Sequence, residues 1–167
     1  QKDRNTDLIH ISYSTPKTQS RVYLYNLKTK EKKLVKEQII PSGHNPDNYI
    51  VERLDCDSHD GKKIPLTIIR NKKTKIDGNA KLLLYGYGSY GNSMSANFSS
   101  NKFSLIDRDI IWVTAHVRGG LERGMKWWKE GKLLNKKNTF KDYISVAKFL
   151  IEKKYSSKGK IIGMGGS

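Results

Sequence analysis

The sequence predicts an α/β protein with a largely parallel sheet, entered through a small antiparallel β unit. Three observations carry this. From residue 81 onward the pattern alternates strand, helix, strand, helix, strand, which is the order of a parallel sheet with right-handed crossovers. Residues 109–118 form a nearly unbroken apolar run, as a strand buried on both faces requires. The opening residues instead show short alternating runs between turn-forming residues.

Residues 7–13, 21–27 and 31–36 are each of strand length, and the breaks at 14–16 and 28–30 carry turn chemistry, so an antiparallel meander is expected. Three strands hide their own apolar face poorly, which marks them as part of a propeller blade from a larger β structure, with residues 41–46 as linker. Residues 49–55 and 64–70 are strands around a hairpin connection at 58–61. A third strand, 81–85, ends in Gly86-Tyr-Gly-Ser-Tyr-Gly91, and residues 92–108 are long enough for a crossover helix to the strand at 109–118. Thr139-x-x-Asp142 reads as a capping box, and Phe140, Tyr143, Ala147, Leu150 and Ile151 repeat at helical spacing up to Lys153 and Lys154. That helix leads into a last short strand and the terminal Gly165-Gly-Ser167.

Composition bounds the function. The chain has 167 residues, a formal net charge of +16 and one cysteine, Cys56, so no internal disulfide framework exists and a reducing, cytoplasmic setting is expected. No apolar run approaches the roughly 20 residues of a membrane span, and the polar start is no signal peptide, so no membrane partner is expected. The positive charge invites a nucleic-acid reading, but the lysines are scattered over loops, connections and helix surfaces rather than clustered, and no nucleic acid is expected as partner. A basic binding module remains an alternative.

Gly86-x-Gly88-x-x-Gly91 follows a strand and matches the dinucleotide fingerprint. Residues 92–95 are a poor helix opening, two tyrosines occupy a loop where close backbone approach is wanted, and the next strand ends in Arg118 rather than an acidic residue for the ribose. No cofactor and no metal are therefore expected. The other reading makes the tyrosines functional: an acyl-transfer enzyme needs donors where negative charge develops, and Tyr87 has a phenolic hydroxyl to give. A ring packed under a turn is the structural alternative for Tyr87. At the other end, residues 159–167 read as a strand running into glycines and stopping on a serine, the first half of a G-x-S-x-G nucleophile elbow.

Together, residues 85–91, Ala115-His-Val-Arg-Gly-Gly120, Gly131-Lys-Leu-Leu134, Lys137-Asn-Thr-Phe140 and Gly163-Met-Gly-Gly-Ser167 resemble the prolyl oligopeptidase family of serine peptidases, and within it the oligopeptidase B branch. The resemblance implies an N-terminal β-propeller before a C-terminal α/β-hydrolase domain. It divides this chain into residues 1–45, a propeller-blade remnant and linker, and residues 46–167, the first five strands of the hydrolase sheet, with the third and fifth strands adjacent. It implies hydrolysis of short peptides, preferably after Arg or Lys, with Ser167 as nucleophile and Tyr87 as oxyanion donor. Tyr90 takes the place of an aromatic lining the pocket for the residue before the cut. Arg118 and Glu122 fall in the family's R-G-G-x-E segment and are read as a structural ion pair near the site. Leu121 departs from the family, which usually has a third glycine there.

A serine hydroxyl becomes a strong nucleophile only when a histidine takes its proton and a carboxylate orients that histidine, in the chain order Ser, Asp, His for this fold. The four histidines, His10, His44, His59 and His116, all precede Ser167, and none suits the base. The expectation is a fragment of an oligopeptidase, inactive alone, whose partners are short basic peptides and the missing C-terminal part of the hydrolase domain. A degraded pseudo-peptidase is the remaining alternative.

Overall fold

The computed structural model describes residues 5–95 and 97–166, so Ser167 lies outside the described residues. Two sheets form, and they differ in what covers them. In the first, β1 (Leu8–Thr15), β2 (Thr18–Asn26) and β3 (Lys32–Glu37) pair antiparallel in chain order. The expected meander is present, but the first turn sits on Pro16 and Lys17, because Thr15 already pairs with Thr18. Ile9, Ile11, Tyr13 and Leu34 remain exposed on this sheet. It meets the second sheet through Lys17 and His44. The Lys17 ammonium donates to the Tyr49 carbonyl at 3.3 Å, and the His44 ring stacks on Tyr49 at 5.1 Å with its edges against Phe98 and Phe103.

The second sheet has the order β4-β5-β7-β6-β8, with β4 (Tyr49–Asp57), β5 (Lys63–Asn71), β6 (Lys81–Gly86), β7 (Ile110–Ala115) and β8 (Ile161–Met164). β4 and β5 form the expected hairpin, β5 joins β7 antiparallel, and β6 lies parallel to both β7 and β8. The third and fifth of these strands are therefore neighbours. Alternation explains the continuous apolar runs, since successive side chains leave opposite faces. Leu82, Leu84, Ile111 and Val113 enter one core with Val146 and Leu150, while Leu83 and Trp112 enter the other with Phe103 and Ile106.

Three helices complete the layers: α1 (Ser100–Ile106), α2 (Met125–Lys129) and α3 (Lys137–Glu152). The crossover over 92–108 is mostly irregular, with only α1 helical, because Asn92 to Ser99 have no helical period to sustain a longer element. α3 corrects the capping-box reading. The helix starts at Lys137 with Lys136 as N-cap, and Thr139 and Asp142 are buried in its interior, held by tertiary partners rather than by the helix end. The packed face runs through Thr139, Asp142, Val146 and Leu150, so Phe140, 61% exposed, is not a core residue. Among the described residues no helix is long and apolar enough to cross a membrane.

Candidate active site

The site forms where β6 and β8 end side by side. Leu84 pairs with Gly163 and Tyr85 with Met164, so the chain leaves the sheet at Gly86-Tyr87-Gly88 on one strand and at Gly165-Gly166 on its neighbour. Glycines permit this closeness. A Cβ at Gly165 would lie 2.9 Å from the Gly86 carbonyl oxygen, and one at Gly86 would lie 2.8 Å from the Tyr143 ring. Gly88 has φ +67° and leaves no room for a side chain between Thr139, Val117 and the Arg118 carbonyl.

These ends border a cleft of about 500 Å³, within the size range of small-ligand sites, with Tyr87, Ser89, Lys136, Phe140, Tyr143 and residues 163–166 on its walls. Its two tyrosines differ. Tyr143 donates its hydroxyl to the Leu84 carbonyl at 2.6 Å, and burial raises its pKa, which keeps it a donor. The Tyr87 hydroxyl has no hydrogen-bond partner among the described residues. Ser167 follows Gly166 directly in the chain. Tyr90 stands apart from Tyr87, 82% exposed at φ +55°, in an adjacent cavity of about 470 Å³ with Trp128, Lys132 and Leu133. Ser89 and Lys136 border both cavities.

Behind the cleft lies a buried ionic knot. Arg118, 1% exposed, donates through Nε and Nη2 to Asp142 at 2.9 and 2.6 Å, and through Nη1 to Asp60 at 2.6 Å. Its backbone N–H also reaches Asp142, Ser58 donates to the same carboxylate, and Thr139 donates to the Arg118 carbonyl at 2.6 Å. Burial alone would lower the Arg118 pKa, but the hydrogen bonds it donates to Asp142 and Asp60 outweigh it and raise it, while Arg118 holds the Asp60 carboxyl below its ordinary value. The expected pairing of Arg118 with Glu122 is thus corrected. The guanidinium turns toward α3 and the β4–β5 turn, where two carboxylates complete its fork. Glu122 faces His116 Nδ1 at 3.7 Å and accepts the Met94 N–H at 2.7 Å. Burial pulls the Glu122 carboxyl upward, but the His116 and Met94 contacts prevail and hold it below the ordinary range. The Leu121 side chain packs beside Gly91, whose N–H donates to the Gly119 carbonyl at 3.0 Å.

None of the four histidines borders the cleft. His10 is in β1, His44 joins the sheets, His59 hydrogen-bonds Ser58, and His116 is buried against Thr67. The dinucleotide reading fails on geometry, because among the described residues the first helix after Gly91 starts only at Ser100, too far along the chain to present its N-terminus to a pyrophosphate at the glycines. Among the described residues no group of three or more His, Cys, Asp or Glu is placed to hold a metal ion. Sequence reasoning missed Lys136, whose ammonium donates to the Gly88 carbonyl at 2.6 Å and to Ser89 Oγ at 2.7 Å. The available signal was a lysine at a helix N-terminus, where the macrodipole disfavours cations.

Residues 96–167 match the model of the prolyl oligopeptidase family. Dipeptidyl aminopeptidase BI of Pseudoxanthomonas mexicana is 42% identical over 166 residues, covering 99% of this chain and 23% of that protein. Along nearly its whole length the chain is thus similar to members of the prolyl oligopeptidase family. Protease 2 of Moraxella lacunata is 36% identical over 163 residues, covering 98% of this chain and 24% of its own length. The solved oligopeptidase B from Leishmania major superposes with a TM-score of 0.85 at 33% identity, over 98% of this chain and 23% of that one. The chain thus spans about a quarter of the length of these relatives. The Tyr87 loop precedes the segment matched by the family model, yet the relatives align across nearly the whole chain.

Proposed function

We propose that this chain supplies the nucleophile and the side-chain oxyanion donor of a serine peptidase that cleaves short peptides by acyl-enzyme chemistry. Ser167 Oγ attacks the carbonyl carbon of the scissile bond, a histidine takes the hydroxyl proton, and the Tyr87 phenol donates to the oxygen that becomes negative. The tetrahedral adduct collapses to the acyl-enzyme as the histidine returns the proton to the leaving amine, and water then repeats the cycle. The base and its orienting carboxylate are taken to lie outside the described residues, in keeping with the absence of all four histidines from the cleft.

One observation carries the reading: a cleft at the parallel strand ends holds a tyrosine hydroxyl without a partner among the described residues and is walled by Gly166, the residue before Ser167. In open α/β sheets this carboxyl edge is where sites form. The resemblance of the sequence motifs to the oligopeptidase B branch implies a preference for Arg or Lys before the cut, with Tyr90 lining that pocket. The carboxylate for such a side chain would come from elsewhere, since no Asp or Glu borders either cavity. The division into a propeller-type region at 1–45 and a hydrolase region at 46–167 is supported by the separate sheets.

The test uses the full-length protein with fluorogenic amides carrying Arg, Lys or Pro before the scissile bond, beside labelling by a fluorophosphonate. The expected result is Arg or Lys cleavage and labelling, both abolished in Ser167→Ala. Turnover that survives Ser167→Ala overturns the proposal.

A further inference from the structure

We infer that Lys136 is a positioning residue that locks the Tyr87 loop in its donor geometry, an inference that rests on the serine-peptidase reading above. Tyr87 sits between the end of β6 and Gly88, and a glycine at positive φ gives the following peptide unit little intrinsic preference for one orientation. Lys136 supplies the missing restraint. Its ammonium grips the Gly88 carbonyl and Ser89 Oγ together, so rotating the 88–89 peptide would break two charge-assisted hydrogen bonds. The far end of the loop is tied separately by the Gly91 N–H to Gly119. Restraint at both ends leaves Tyr87 directed by the backbone rather than by a partner of its own hydroxyl.

The local physics argues against a mere solvated lysine. Lys136 caps the N-terminus of α3, where the helix dipole opposes a cation, and its partly buried ammonium has a pKa lowered by desolvation. Lys137, the next residue, is exposed and makes neither contact. A sequence that keeps a costly lysine at one position beside an ordinary surface lysine is placing the first for its contacts. Lys136 also borders both cavities, so its grip sets the wall between them.

The test compares wild type, Lys136→Met, Lys136→Arg, Tyr87→Phe and the Lys136→Met/Tyr87→Phe double variant in the full-length protein. Lys136→Met is expected to lower kcat by about ten- to a hundred-fold, the effect of a small misplacement of a catalytic group, with KM little changed. Lys136→Arg should recover part of that loss. In the Tyr87→Phe background the Lys136→Met loss should largely vanish, because the residue acts through the phenol. Amide hydrogen exchange should quicken at residues 86–91 in Lys136→Met and stay unchanged in β5 and β7. An unchanged kcat, full additivity of the two substitutions, or unaltered exchange at 86–91 overturns the inference. A wild-type protein without hydrolase activity overturns the serine-peptidase reading instead, and exchange then decides the clamp alone: faster at 86–91 supports it, unaltered refutes it.

Discussion

The Arg118 knot and the Tyr87 cleft lie on two sides of the same glycine loop, and they treat polar groups oppositely. In the knot, a guanidinium and a carboxylate that are 1% and 0% exposed satisfy each other with help from Asp60, Ser58 and Thr139. In the cleft, the Tyr87 hydroxyl is left without a partner among the described residues. Buried charges are tolerated only when fully paired, whereas the donor role proposed for Tyr87 requires a hydroxyl that is free when substrate arrives. The fold thus satisfies its polar groups on one side and leaves one free on the other.

The contrast predicts separable effects on stability and catalysis. The largest is expected for Asp142→Ala, which leaves Arg118 buried with one carboxylate gone and should cost about 3–5 kcal/mol of unfolding free energy in a denaturant titration. Loss of activity without loss of stability in that variant would erase the distinction. Tyr87→Phe should do the reverse. Removing one oxyanion donor typically costs about 10²–10³ in kcat, while the melting temperature should hold, since the lost hydroxyl has no partner to leave behind. The smallest effect belongs to Asp60→Asn. Arg118 lowers the Asp60 pKa, so the folded carboxylate contributes stability above the ordinary aspartate value of about 3.9 and loses it as pH falls through the depressed value. The difference in stability between wild type and Asp60→Asn should therefore be constant near neutrality and close in acid; a difference that grows in acid would place the charge elsewhere.

Much of the frame was legible because period-2 and period-3.6 patterns depend on local side-chain direction. The β4–β5 hairpin, the parallel β6, β7 and β8 and the helix before β8 all follow from such runs. The errors arose where one residue type serves two ends. Thr139 and Asp142 have the chemistry of a helix cap, yet their hydroxyl and carboxylate reach across to Arg118, a partner distant in sequence. Phe140 has a core residue's composition but lies beside the cleft. The Arg118–Glu122 pairing was read from a shared family segment, but proximity in a glycine turn does not fix where side chains point, and each residue finds a different partner. The glycines around Tyr87 mark the loop in the sequence, and the structure places that loop at the rim of the cleft.

The two glycines before the terminal serine do not tolerate change equally. A methyl group at Gly166 would meet no described atom within 4 Å, whereas one at Gly165 would press on the backbone oxygen of Gly86. Position 165 is therefore a spacer of zero thickness between two strands, and enlarging it would wedge those strand ends apart. Any attempt to transplant this arrangement into another scaffold has to carry that narrowness along with the serine and the phenol.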